Sequence, residues 1–204
     1  NKIYKSNYTI SIKMLPTNEL KKIKQELVEF DKQRENTIFL ARIILKASKS
    51  AIYSTHRADF KKAKKQLDEA ESNIKKTEKL IKKIPKLRSV GIYSNALEEY
   101  VEAKCFYGFV KDKKLPKASQ LPVTSEEYLL GLCDFTGEMG RVAVILATNK
   151  KFKQVKQIKD VVEEIFGFFS SIDLRNGELR KKSDSIKWNL KKIEEVLYDI
   201  SMKK

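Results

Sequence analysis

Breakers of regular backbone are scarce in this chain: 7 Gly and 4 Pro among 204 residues, set against an abundance of Lys, Glu, Leu and Ile. Such a sequence can hardly turn except at those few points, so it is expected to form long helices and no sheet. The hydrophobic spacing agrees. Thr17 or Asn18 is positioned to cap a first helix after Pro16, and Leu20, Ile23, Leu27, Phe30, Ile38, Ala41 and Leu45 follow at helical intervals. Asp59 opens a polar second helix that stops before Pro85, and Ser94 opens a third. Thr124, with Glu127 three residues on, forms a capping box for a fourth. A fifth runs from about 152 to 171. A sixth runs from about 177 to 202, with Leu179, Ile186, Leu190, Ile193, Leu197 and Ile200 at steps of three, four and seven. The expected architecture is all-α: one domain over 16–204, six to seven antiparallel helices in a bundle, preceded by an arm at 1–15.

The net charge is +16, and its distribution is uneven. Residues 1–90 hold 23 Lys and Arg against 10 Asp and Glu, whereas residues 91–204 hold 20 against 17. A basic half points to a polyanion, with nucleic acid ahead of an anionic membrane. No apolar run is long enough to cross a bilayer, and the amino terminus lacks a signal-peptide layout. Cys105 and Cys133 form no CxxC pair, which fits a reduced, cytoplasmic protein.

The fourth helix raises a question. In "LLGLCDFTGEMGRVAV", residues 129–144, the apolar side chains cover nearly every direction, yet Asp134, Glu138 and Arg141 are present. Asp134 and Glu138 share one face, one turn apart. An unpaired carboxylate inside a bundle costs several kcal/mol, so each needs a partner or a solvated cavity. Glu99 and Glu102 in the third helix also share a face, in line with Phe106 and Phe109. If these two helices pack antiparallel, four carboxylates converge. Such a cluster repels itself unless cations fill it, and an oxygen-only ligand set suits Mg²⁺ or Mn²⁺. The alternatives are an ordinary exposed charge at Glu99 or Glu102, since "EEYVE" also contains Glu98, and pairing of Asp134 with Arg141 or Lys104. A di-iron centre lacks its Glu-x-x-His motifs, because His56 is the single histidine.

Along the first helix Arg42, Lys46, Lys49, Tyr53 and Arg57 line up at steps of four, three, four and four. Four cations with one aromatic suit a phosphate backbone and a stacked base. Arg34 falls in the apolar stripe and is either paired with a carboxylate or turned into a cavity. Tyr53 could equally be a core edge, and His56 a helix-end cap.

Several segments resemble the translin and TRAX family: "ENTIFLARIILKASKSAIYSTHR", "ALEEYVEA", "EEYLLGLCDFTGEMGR" and "LRKKSDSIKWNLKKIEEVLYDIS". The order E-x-x-E then D-x-x-G-E is more specific than either part. The resemblance implies a seven-helix fold and a barrel-like oligomer, an octamer, enclosing RNA or single-stranded DNA. It also implies that Glu99, Glu102, Asp134 and Glu138 match the catalytic carboxylates of TRAX, a metal-dependent endoribonuclease. The insertion of eukaryotic TRAX between the third and fourth helices is reduced here to the loop around 115–123, as in a compact archaeal type. The expected activity is hydrolysis of single-stranded RNA with Mg²⁺ or Mn²⁺, leaving a 5′-phosphate and a 3′-hydroxyl. Arg34, Arg42, Lys46, Lys49 and Arg57 would grip the backbone, and Arg141 would steady a phosphate or a carboxylate. Two alternatives are a translin-like binding subunit without catalysis, in a homo- or hetero-oligomer, and a purely structural helical protein.

Overall fold

The computed structural model describes residues 16–202; the arm at 1–15 lies outside them. The described chain is all-α, in six helices: α1 (Thr17–His56), α2 (Phe60–Lys83), α3 (Gly91–Asp112), α4 (Ser125–Thr148), α5 (Phe152–Ser170) and α6 (Glu178–Met202). Short 3-10 turns at Pro85–Ser89 and Ala118–Gln120 replace any seventh α-helix. Both carry a proline at or just before the turn, and proline's fixed φ and missing N–H stop an α-helix from continuing there.

The end signals hold unevenly. Asp59 accepts a bond from the Lys62 N–H, and Ala58 (φ 56°) reverses the chain between α1 and α2. Thr124 and Glu127 form the expected capping box. At α1 the residue before the helix is Pro16, and no side chain caps it, so neither Thr17 nor Asn18 plays that role. The third helix starts three residues earlier than Ser94, at Gly91, because Pro85–Ser89 feeds directly into it.

α3 is the central rod. It packs on α1 and α2 on one side and on α4 on the other, and α5 and α6 close over α4. Tyr93, Leu97, Tyr100, Phe106, Phe135 and Met139 are fully enclosed between these layers. The closest approach is at Gly131 of α4: a Cβ built there would sit 2.6 Å from the Glu98 carbonyl oxygen and from Val101 Cβ. A bare glycine is therefore what lets α4 lie against α3. Two large buried polar groups are matched: the Tyr93 hydroxyl donates to Glu78 at 2.7 Å, and Glu127 accepts from Arg88 and Ser94 at 2.7 Å. Among the described residues no helix is long and apolar enough to cross a membrane.

Candidate nucleic-acid and metal site

The four carboxylates singled out by spacing do gather. Glu99 and Glu102 come from α3, Asp134 and Glu138 from α4, and all four lie in a partly covered region between α1, α3, α4 and α6. Glu102 is the innermost. It makes no hydrogen bond or ion pair with a basic side chain among the described residues. Burial, and then the negative charges of Glu99, Asp134 and Glu138, push its carboxyl up to about 8. Burial also raises Glu99, against the pull of Lys49, whose Nζ stands 3.7 Å from Glu99 Oε2.

Three further residues complete the cluster, and sequence reasoning missed them. Glu98, the neighbour of Glu99 to which spacing assigned no role, is the more enclosed of the two and faces the same cleft. Lys182, from the first turns of α6, bonds Asp134 Oδ2 at 2.6 Å and Glu98 Oε2 at 3.1 Å. Burial would lower this lysine, but the two carboxylates outweigh it and hold the ammonium charged. His56, at the end of α1, donates from Nε2 to Glu138 Oε2 and lies tilted against Phe106, with ring centroids 4.4 Å apart. That bond keeps the Glu138 carboxyl below its ordinary range. Asp134 therefore pairs with Lys182 rather than with Arg141 or Lys104. The latter lies instead over the Tyr100 ring.

A signal was present for two of them. Lys182 stands four residues before Ile186, which heads the buried stripe of α6, and His56 stands four after the buried Ile52. Both continue an inward face by one turn.

Leu45, Lys49, Asn95, Glu98, Glu99, Asp134, Glu178 and Lys182 line an open cleft of about 570 Å³ beside these groups. The basic stripe reaches its mouth. Arg42, Lys46, Lys49, Tyr53 and Arg57 are all exposed on α1, and the Arg57 guanidinium lies over the Tyr53 ring, 5.7 Å from its centroid. Arg34 lies apart from the cleft. It pairs with Glu35 at 2.8 Å and lines a separate groove with Phe30, Ile38 and Arg42. Arg141 is exposed, its Nη1 3.8 Å from Glu138 Oε2.

The donor set is chemically right for a hard divalent cation, being carboxylate oxygens with one buried member lacking a counter-charge. As the side chains stand, however, no three of His, Cys, Asp and Glu among the described residues are drawn around one centre. Lys182 and His56 occupy the oxygens that such a centre would share.

Comparison with known proteins sets this geometry in context. The Translin family profile matches residues 19–204. An uncharacterized protein of Methanocaldococcus jannaschii is 31% identical over 192 residues, covering 89% of this chain and 84% of its own length. Translin-associated protein X of Rattus norvegicus is 24% identical over 224 residues, covering 90% of this chain and 77% of the rat protein. Among solved structures, apo-NeC3PO superposes with a TM-score of 0.83 at 29% identity, over 91% of this chain and 97% of its own. The complex of AfC3PO with duplex RNA superposes with a TM-score of 0.67 at 24% identity, over 91% and 98%.

Proposed function

Because this chain belongs to the translin family, we propose that it is a TRAX-like, metal-dependent endoribonuclease acting on single-stranded RNA within a barrel-like oligomer. The observation that carries the reading is Glu102, a buried carboxyl surrounded by three others with no basic partner of its own. A fold gains nothing from such repulsion, and groups held at perturbed pKa values cluster at functional sites. The fully silent reading would more naturally replace one of the four.

Glu99, Glu102, Asp134 and Glu138 would hold Mg²⁺ or Mn²⁺, with Glu98 beside them. A bound divalent cation supplies charge stabilisation for the phosphodiester under attack. The chain's own groups do the rest. One carboxylate accepts the proton of the attacking water. Arg42, Lys46, Lys49 and Arg57 grip the strand that enters along α1, with Tyr53 offering a face for a base. Arg141 steadies Glu138 or a phosphate, and Arg34 extends the basic track beyond the cleft. Cleavage leaves a 5′-phosphate and a 3′-hydroxyl. RNA as the ligand is supported by AfC3PO, a fold relative solved with duplex RNA. The assembly is proposed as an octamer, of this chain alone or with a translin-like partner, working in the cytoplasm.

A second reading, a single-strand-binding subunit without catalysis, is favoured by the lysine and histidine already seated on Asp134 and Glu138. Incubating a 5′-labelled single-stranded RNA with Mg²⁺, with EDTA, and with the Glu138→Ala variant separates the two. Metal-dependent cutting that the substitution abolishes is expected. RNA binding that is indifferent to EDTA, without products in any metal, would sink the nuclease reading in favour of the binding subunit.

A further inference from the structure

α6 contributes more than a hydrophobic cover. Glu178 and Lys182, one turn apart at its start, both line the acidic cleft. Lys182 is the only basic side chain among the described residues that joins carboxylates of two different helices, Glu98 of α3 and Asp134 of α4. Its side chain is only a quarter exposed, yet the cleft is open beside it, and four methylenes give the ammonium room to swing out.

We propose that Lys182 is a tethered cation that competes with the divalent ion for Asp134 and Glu98 and leaves this bridge when that ion binds. The proposal rests on the reading of the cleft as a metal site. Two oxygens that one ammonium bonds at 2.6 and 3.1 Å lie close enough together to share a single ion. An ammonium still seated there would stand within a few ångströms of a doubly charged ion in a partly desolvated place, where repulsion is far from screened. Glu98 enters this arrangement as a holder of the lysine. Lys49 provides the contrast, since it reaches Glu99 at 3.7 Å from a side chain that is two-thirds exposed.

The test is Mn²⁺ binding by the full chain, followed through the electron paramagnetic resonance of free Mn²⁺ and independent of any cleavage. Lys182→Met is expected to bind at least ~10-fold more tightly than the wild type, because a competing charge is gone. Lys182→Arg, which keeps the charge, should bind no more tightly than wild type. Lys49→Met should change affinity by less than about 3-fold, as exposed charges are screened. A second readout guards against a folding defect. Without metal Lys182→Met should melt below wild type, having two unpaired carboxylates, and Mn²⁺ should raise its midpoint more than it raises the wild type's. Equal or weaker Mn²⁺ affinity in a folded Lys182→Met overturns the proposal while leaving the metal site standing. No Mn²⁺ binding by wild type or variant at millimolar concentration overturns both.

Discussion

Glu102 illustrates how one residue makes a structure sensitive to pH. Burial first, and then the charges of Glu99 on its own helix and of Asp134 and Glu138 on α4, lift it from the usual 4.5 to about 8, against the opposing pull of Lys182 from α6. A carboxyl with a raised folded-state value lends stability that is full below the unfolded value and disappears as pH climbs through the folded one. Thermal melts in EDTA should therefore show the wild type losing stability between about pH 4.5 and 8. Glu102→Gln should flatten that slope and be the more stable protein at pH 9, by roughly 3 kcal/mol. An unchanged slope would mean that Glu102 titrates normally. The four carboxylates were legible in the sequence because a charge inside an apolar period stands out. Glu98, His56 and Lys182 were not, and for a physical reason. Whether a charge one turn beyond a stripe faces inward depends on which neighbouring helix covers that turn, and covering is a property of the packed molecule. Glu98 in particular has nothing in "LEEYVE" to set it apart from Glu99; only α3's enclosure by three helices turns it inward.

Among the helices, the contact of α3 with α4 sets the cluster's dimensions. Gly131→Ala should force these helices apart, since its methyl would overlap the Glu98 backbone and Val101. A loss of about 2 kcal/mol is expected from denaturant unfolding, with weaker divalent binding as Glu98 and Asp134 separate. The Arg88–Glu127 pair fastens the start of α4 to the turn before α3, with Arg88 Nη2 2.7 Å from both Glu127 oxygens. Glu127 is almost wholly enclosed. Burial alone would raise its carboxyl, but Arg88, the Thr124 backbone and Ser94 together hold it below the ordinary range. Arg88→Met would strand that charge and should cost about 3 kcal/mol at pH 7, a loss that shrinks as pH falls and Glu127 is protonated. The capping box of α4 was readable from Thr124 and Glu127, because the motif is local. The second use of Glu127 was not, because Arg88 lies 39 residues away.

At the scale of the molecule, no described helix packs over the apolar side chains at the start of α1. The helix is 40 residues long, about 60 Å, and Leu20, Ile23, Leu27 and Val28 are all exposed near its start. A face of this kind is out of place on a monomer. If it is an assembly surface, light scattering should give a mass well above the 23.7 kDa chain, and Ile23→Asp with Leu27→Asp should lower it. RNA affinity should fall steeply with salt, and removing Arg42 or Lys46 should reduce that dependence by about one phosphate contact each. A salt-insensitive affinity would remove the basic stripe from the interface. Helix number and the all-α class were legible because breakers are so few, whereas which helix covers which was not. The short turn at Pro85–Ser89 was not foreseen, since it takes the place of a loop without altering the hydrophobic period.

The bridge from Lys182 to Glu98 spans 84 residues of chain, and that from His56 to Glu138 spans 82. In the order in which a ribosome delivers them, all five acidic groups and the histidine arrive before the lysine. The seat of negative charge is thus written into the chain ahead of its cation. In the folded molecule α6 is held in two ways along its length, by the Lys182 ammonium on Glu98 and Asp134 near its start and by the burial of Ile186, Leu190 and Ile193 further on.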